Sequence, residues 1–297
     1  MGRCEAGENN MTSQSVAMQA KSKFSMLLGD FASSLKEHIT INDKWTIKGF
    51  IDIYKNIYPI STDTKVISKL LELHLFPHFL TFAESNGYEI ELSSHQNYYP
   101  DLTFITKADN TIKFAVDIKT TYQLIDYPGF CNGFTLGSHG EYFINRNSAK
   151  NIQYSYNQYS GHYCFGIIYT RTKLPENIDL RLYSIDELES IPSVISDFVF
   201  FAAEKWQIAS DKRGSGNTAN IGSIQRIEDI LKGEGVFSKA GEEIFDDYWI
   251  NYGKLQVAAK NGGYKSLSSI DEYITYRNLS PDLIVARPGK RKALKHE

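Results

Sequence analysis

Between Tyr99 and Tyr122 the chain reads YPDLTFITKADNTIKFAVDIKTTY, and few backbone arrangements suit it. Leu102 to Thr106 and Ile112 to Ile118 are rich in β-branched and aromatic side chains, while Ala108-Asp109-Asn110-Thr111 between them has turn composition. The pattern predicts a β-hairpin. Side chains alternate across a strand, so Ile112, Phe114, Val116 and Ile118 take one face and Lys113, Ala115, Asp117 and Lys119 the other. In the register that the turn suggests, Asp101 lies at the open end of the first strand, near Asp117. Two carboxylates and an ammonium then share one small volume.

Carboxylates held that close repel unless a cation sits between them, and hard oxygen ligands with open positions suit Mg²⁺. The backbone carbonyl of Ile118 offers a third oxygen. A Mg²⁺ ion so held polarises a phosphoryl oxygen, lowers the pKa of a bound water and clamps a substrate for in-line attack. Lys119, beside two acids, is expected to stay protonated, to orient the water and to offset charge in the transition state, with general base as second choice. Spacing alone is a weak signal: a Pro-Asp followed by an acidic-x-Lys arises by chance, and solvated charges at strand ends give the same pattern.

With 297 residues, 42% of them hydrophobic, the chain can bury one large domain, or one with a small subdomain. No apolar run is long enough to span a bilayer and the opening residues lack the order of a signal peptide, so no membrane partner is expected. Cys4, Cys131 and Cys164 are odd in number and widely spaced, which argues against a disulfide framework or a zinc cluster and fits the reducing cytoplasm. A net charge of −3 does not announce a nucleic-acid binder. Positive charge is concentrated locally instead. Lys205, Lys212 and Arg213 precede a glycine-rich loop, and Arg287, Lys290, Arg291, Lys292 and Lys295 crowd a basic tail over 279–297.

Residues 1–23 are polar without sustained period and are expected to form a flexible extension. Phe24 to Leu35 has helical spacing, and Trp45 to Tyr54 is strand-like. Thr62 or Asp63 is placed to cap a helix with an apolar stripe of Val66, Ile67, Leu70, Leu71 and Leu73, kinked at Pro77 and ended by Asn86-Gly87. Glu72 falls on its polar side, where a surface glutamate is the ordinary reading; His74 and His78 are expected to pack. A strand over Tyr88 to Leu92 and a polar loop over Ser93 to Tyr98, containing Gln96 and Asn97, lead to Asp101. Past Lys119, the hydroxyls of Thr120 and Thr121 are candidates for contacts with a phosphate backbone. Tyr122 to Gly140 reads as loop, followed by strands at Tyr163 to Thr170, Ile178 to Tyr183 and Phe198 to Ile208, with a capping box at Ser184 and Glu187. Gly214-Ser215-Gly216-Asn217-Thr218-Ala219-Asn220 lets backbone approach a surface closely, yet matches neither a Walker A nor a dinucleotide fingerprint. Helices are expected at about 223–231, 242–252 and 269–276, the last with Ser269 and Glu272 as a capping box.

Four blocks occur in order: STDTKV from Ser61, QNYYPD from Gln96, DIKTTY from Asp117 and GSGNTANIGSI from Gly214, with DDYWINY from Asp246 extending the series. In these the chain resembles the EcoRV-like type II restriction endonucleases, within the PD-(D/E)xK nuclease superfamily, over about residues 26–278. The resemblance implies an α/β (α+β) core, a mixed β-sheet flanked by helices, with a small dimerisation subdomain drawn from about 24–60, an active-site hairpin over 93–122 and a DNA-recognition loop over 210–224. It implies a Mg²⁺ site formed by Asp101, Asp117 and the Ile118 carbonyl, with Glu72 as an auxiliary ligand, and Lys119 beside it. It assigns DNA contacts to Gln96 and Asn97, to Gly214, Ser215, Gly216 and Asn220, and to Asn217 as an adenine reader supported by Thr218. The implied partners are double-stranded DNA and a second copy of the chain, because a palindrome presents two equivalent phosphates to a two-fold homodimer. The implied target is GATATC, cut to blunt ends.

His95, Tyr98 and Ala219 depart from the pattern, as does the length of 122–140. Two further readings stand beside this one: a related nuclease of repair or recombination, against which the glycine loop speaks, and a non-catalytic DNA-binding module, which is expected to lose an acid or the lysine.

Overall fold

The computed structural model describes residues 5–95, 97–173, 181–214, 219–259 and 262–285, with side chains from Ser15 onward. A long helix α1 (Glu5–Ile39) leads into short strands β1 (Thr40–Ile41), β2 (Lys44–Trp45), β3 (Gly49–Ile51) and β4 (Asn56–Pro59), then helix α2 (Thr64–Asn86). Strands β5 (Tyr88–Leu92), β6 (Leu102–Thr106), β7 (Lys113–Tyr122) and β8 (Thr135–Ser138) precede α3 (Glu141–Ile144). After β9 (Gly161–Arg171), β10 (Tyr183–Ser184) and β11 (Ile195–Glu204) come α4 (Lys205–Ile208), β12 (Ala209–Arg213) and β13 (Asn220–Ser223). The described chain closes with α5 (Ile227–Lys232), α6 (Glu242–Asn251), the hairpin β14 (Gln256–Ala258) and β15 (Tyr264–Ser266), and α7 (Ile270–Tyr276).

Seven of these strands form one mixed sheet in the order β1-β2-β11-β9-β7-β6-β5, in which β7 and β9 alone run parallel. The predicted hairpin is its heart: β6 and β7 pair antiparallel with Phe104 opposite Phe114 and Leu102 opposite Val116. A strand at the middle of a sheet is covered on both faces, so β7 is buried from Phe114 to Ile118 rather than alternating in and out. On one side Phe114, Val116 and Ile118 join Phe165 and Ile167 of β9 beneath α1 and α2. On the other, Ala115 joins Cys164, Ile168 and Phe201 beneath aromatic residues of α3 and α6, among them Tyr142, Phe245 and Trp249. The second face carries Asp117. Gly166 in β9 leaves room there for the Phe201 ring, whose Cζ would lie only 1.9 Å from an added Cβ.

Helix α2 starts where Asp63 accepts hydrogen bonds from the amides of Lys65 (2.9 Å) and Val66 (3.1 Å), and it stops at Gly87, whose φ of 77° suits glycine. Its buried stripe differs from the sequence reading: Ile67, Leu71, Leu75 and Phe79 face the sheet, while Leu73 is 61% exposed and Val66 also lies outward. A four-residue step tracks the helix face more closely than the adjacent leucines did. His74 packs as expected, its Nδ1 accepting from Trp45 Nε1 at 3.0 Å.

Other expectations are corrected. Residues 5–23 do not form a flexible extension, since they belong to α1, while residues 1–4 lie outside the described residues; near the middle of α1 Lys21 pairs with Glu204 (2.5 Å) and Glu242 (2.6 Å), and Phe24 stacks on Phe114 with ring centres 4.2 Å apart. A helix that buries only a narrow stripe keeps a polar composition, which hid it from periodicity. The supposed loop 122–140 contains β8, paired with β13, and the strand expected over Phe198 to Ile208 ends at Glu204. The strand expected from Ile178 falls largely outside the described residues; only Tyr183–Ser184 is seen as strand. The basic residues from Arg287 to Lys295 also lie outside them. Cys131 and Cys164 are buried, and neither forms a disulfide among the described residues. Among the described residues no helix is long and apolar enough to cross a membrane.

Candidate active site

Strand β6 begins at Leu102, opposite Val116, but β7 continues past that pair to Tyr122 while still paired with β9. Asp101 therefore sits one step beyond the last ladder pair, where β7 lacks a β6 neighbour. Its Oδ2 takes the place of that neighbour and accepts the Ile118 amide at 2.7 Å. Amide and carbonyl of one strand residue point to the same edge. The Ile118 carbonyl thus faces the Asp101 side. One residue to either side of Ile118, Asp117 and Lys119 share the opposite face of the strand, joined by an ion pair of 2.7 Å between Lys119 Nζ and Asp117 Oδ2. The structure brings together Asp101, Asp117, Ile118 and Lys119.

Electrostatics mark the cluster as a place for a cation. Burial, the Asp117 charge and a smaller contribution from Glu72 push the Asp101 carboxyl from 3.8 up to about 7, against the pull of Lys119 and the Ile118 amide. Burial also opposes the charge on Asp117, but Lys119 and Lys205 hold it below the usual carboxylate range. Burial disfavours the Lys119 ammonium, yet Asp117 and Asp101 together keep it well above the ordinary lysine value. Two carboxylates and one strand carbonyl supply hard oxygens close together, and Asp101, raised first by burial and then by the Asp117 charge, is an acid that a divalent ion would hold ionised. This donor set fits Mg²⁺.

Glu72 is not drawn into it. Its carboxylate bonds Lys69 at 2.7 Å, and among the described residues no three acidic, histidine or cysteine side chains gather in a metal-binding group. Glu72 does border one cleft, of about 500 Å³, together with Asp101, Asn97 and Thr120. A second cleft, of about 360 Å³, opens on Asp101, Asp117 and Lys119 and is walled by Tyr142, Asn97 and Asn220. Asn97, exposed between the two, reaches both. Gln96 lies outside the described residues.

The approach to Asp101 is braced. The Tyr99 amide donates to Asn151 (3.1 Å), its carbonyl accepts from Gln153 (2.8 Å), and its hydroxyl meets His162 Nδ1 at 2.9 Å. The Tyr99 ring stacks on Tyr142, with centres 5.5 Å apart. Thr120 is half-buried at the cleft, which Thr121 also lines, although Thr121 is buried and its hydroxyl donates to the Asn132 carbonyl at 2.7 Å.

Of the glycine loop, Ser215, Gly216, Asn217 and Thr218 lie outside the described residues, and its two stems are visible. The Gly214 amide donates to the Asn220 carbonyl at 2.9 Å, so it is engaged within the stem rather than left for a base edge. Its missing Cβ is accounted for by Thr135, whose Cγ2 would lie 2.7 Å away. Ala219 accepts from the His139 amide at 2.7 Å, tying the loop to the end of β8. Asn220 joins the stem to the catalytic cleft.

Sequence reasoning missed Lys205 and Tyr99. By sequence Lys205 falls with Lys212 and Arg213 in a basic cluster, yet it is only 4% exposed and its Nζ lies 3.7 Å from the centre of the Tyr99 ring. A lysine closing the apolar run FVFFAAE was the signal available.

The family model described as "Restriction endonuclease EcoRV" matches residues 41–278. The type II restriction enzyme EcoRV of Escherichia coli is 38% identical over 234 residues, which cover 78% of this chain and 92% of that enzyme.

Proposed function

The chain belongs to the restriction endonuclease EcoRV family and is a type II site-specific deoxyribonuclease, and from this premise we propose that it uses Mg²⁺ to cut both strands of GATATC at the centre, acting as a homodimer in the cytoplasm. That it binds DNA and depends on a metal follows from the family. The joined cluster of Asp101, Asp117, Ile118 and Lys119 is the observation that carries the catalytic reading.

Asp101, Asp117 and the Ile118 carbonyl would hold the ion. Bound there, Mg²⁺ would polarise a phosphoryl oxygen and acidify a water. Lys119 stays an ammonium through the reaction, orients the attacking water and offsets the charge that develops on the phosphate. The water oxygen bonds to phosphorus and gives up one proton to solvent, the bond from phosphorus to the 3′-oxygen breaks, and the 3′-oxygen takes one proton from solvent as it leaves. The products carry a 5′-phosphate and a 3′-hydroxyl.

Recognition falls to the glycine loop, with Asn217 pairing to adenine and Asn220 placed between reader and cutter. The shared wall of the cleft supports that link. The homodimer reading is supported by the small sheet β10-β4-β3, whose β3–β4 hairpin exposes Phe50, Ile51, Ile53 and Tyr54, the last two at 89% and 79%. Apolar residues so exposed on an edge hairpin suit a partner's surface.

Digestion of mapped plasmid DNA with Mg²⁺, followed by sequencing of fragment ends, tests target, cut position and end type together. Blunt ends within GATATC are expected. Ends at another sequence overturn the specificity while leaving the nuclease.

A further inference from the structure

We propose that Lys205 is a positioning residue of the active site, a resident counter-charge to the Asp117 carboxylate with which a divalent cation must compete. The inference rests on reading Asp101 and Asp117 as metal ligands and deepens it.

A buried ammonium is costly, so its place calls for a cause. Lys205 follows directly on β11, two strands from β7 in the sheet, and its Nζ lies against Tyr99 and Gly137, which wall the cleft that opens on Asp101, Asp117 and Lys119. Its backbone is fixed from both sides. Glu204 before it is pinned by Lys21 of α1 at 2.5 Å, and the Glu204 amide donates to Gln207 at 3.0 Å. Its head is fixed as well. Nζ rests over the Tyr99 ring at 3.7 Å, and Gly137, in the left-handed region at φ 94°, clears the space: a Cβ there would lie 2.9 Å from Nζ. Tyr99 is itself two residues from Asp101.

Burial lowers the Lys205 pKa to about 8, the Asp117 charge resists this, and the Lys119 charge adds to it. The ammonium lies behind the wall of the cleft, where its charge offsets that of the acids and opposes a divalent cation, at the expense of metal affinity.

The test measures Mn²⁺ binding to the DNA-free enzyme by electron paramagnetic resonance. Removing the charge in Lys205→Met or Lys205→Gln should tighten Mn²⁺ binding by about tenfold or more, whereas Lys205→Arg, which keeps the charge, should stay near the wild type. A merely structural lysine predicts the reverse order, with the neutral variants binding Mn²⁺ as wild type or more weakly. That result overturns the proposal. If the neutral variants unfold without metal, refolding on addition of millimolar Mn²⁺ supports it, because the cation then replaces the lost ammonium; failure to refold counts against it. Asp117→Ala is the control: unchanged Mn²⁺ binding in that variant shows that the ligand reading itself is wrong, independently of Lys205.

Discussion

The Ile118 amide donates to the Asp101 carboxylate at 2.7 Å, so an acid at the end of one strand is fastened to the backbone of the next. The bond extends the β6–β7 ladder by one side-chain rung. It sets the separation of Asp101 from Asp117 by backbone geometry rather than by a flexible loop, which is what a metal site requires of its first ligands.

Cleavage should depend on each member of the cluster to a different degree. Asp117→Asn is expected to abolish cutting, and Lys119→Ala to slow it by about 10²–10⁴-fold, the range for a group acting on the transition state. Gel-shift measurements should still show duplex binding by both variants. Plasmid cutting by Asp117→Asn at the wild-type rate would falsify the assigned role.

Metal-free stability should respond to pH through Asp101. Its pKa rises from 3.8 in the unfolded chain to about 7 in the fold, so between these values the folded protein keeps a proton that the unfolded chain gives up. Stability contributed by this group falls as pH rises through that window. Asp101→Asn removes the penalty and should stabilise the protein at pH 8 by up to about 4 kcal/mol, with little effect near pH 4. Thermal melts in chelator at the two pH values check it, and an equal shift at both would reject the explanation.

Association should depend on the exposed hairpin. Ile53→Asp places a charge on the most exposed of its apolar residues and is expected to shift the protein from dimer to monomer in sedimentation, with loss of concerted double-strand cleavage. A dimer of unchanged affinity would move the interface elsewhere.

Gly166 lies opposite Lys119 in the β7–β9 ladder and under the Phe201 ring. Gly166→Ala should destabilise the protein by roughly 1–3 kcal/mol through overpacking, and combination with Phe201→Leu should restore part of that loss. Chemical denaturation of the single and double variants measures the coupling. Simple additivity would contradict the contact.

Features written into neighbouring residues were legible in the sequence. The hairpin, the Asp63 cap, the Gly87 stop and the Ser269 cap of α7 each depend on a few adjacent side chains, and each stands where the pattern placed it. Features created by distant packing were not. Lys205 reads as a surface lysine until β11 and β9 bring it toward Asp117. Thr121 reads as a free hydroxyl until Asn132 folds back on it. Gly214 reads as a loop glycine until Thr135 of β8 fills the space beside it. The β8–β13 pairing is hidden for the same reason, since its partners stand more than eighty residues apart, as Ser138 and Asn220 do.

Strand β7 outruns β6 by several residues while β9 accompanies it to Tyr122. The result is a ledge, clamped along its inner margin by a strand and met along the outer by Asp101 and the loop at Asn132 instead. A nucleic-acid strand can be laid on such a ledge without prising the scaffold apart, so docking and release need displace only the surrounding loops.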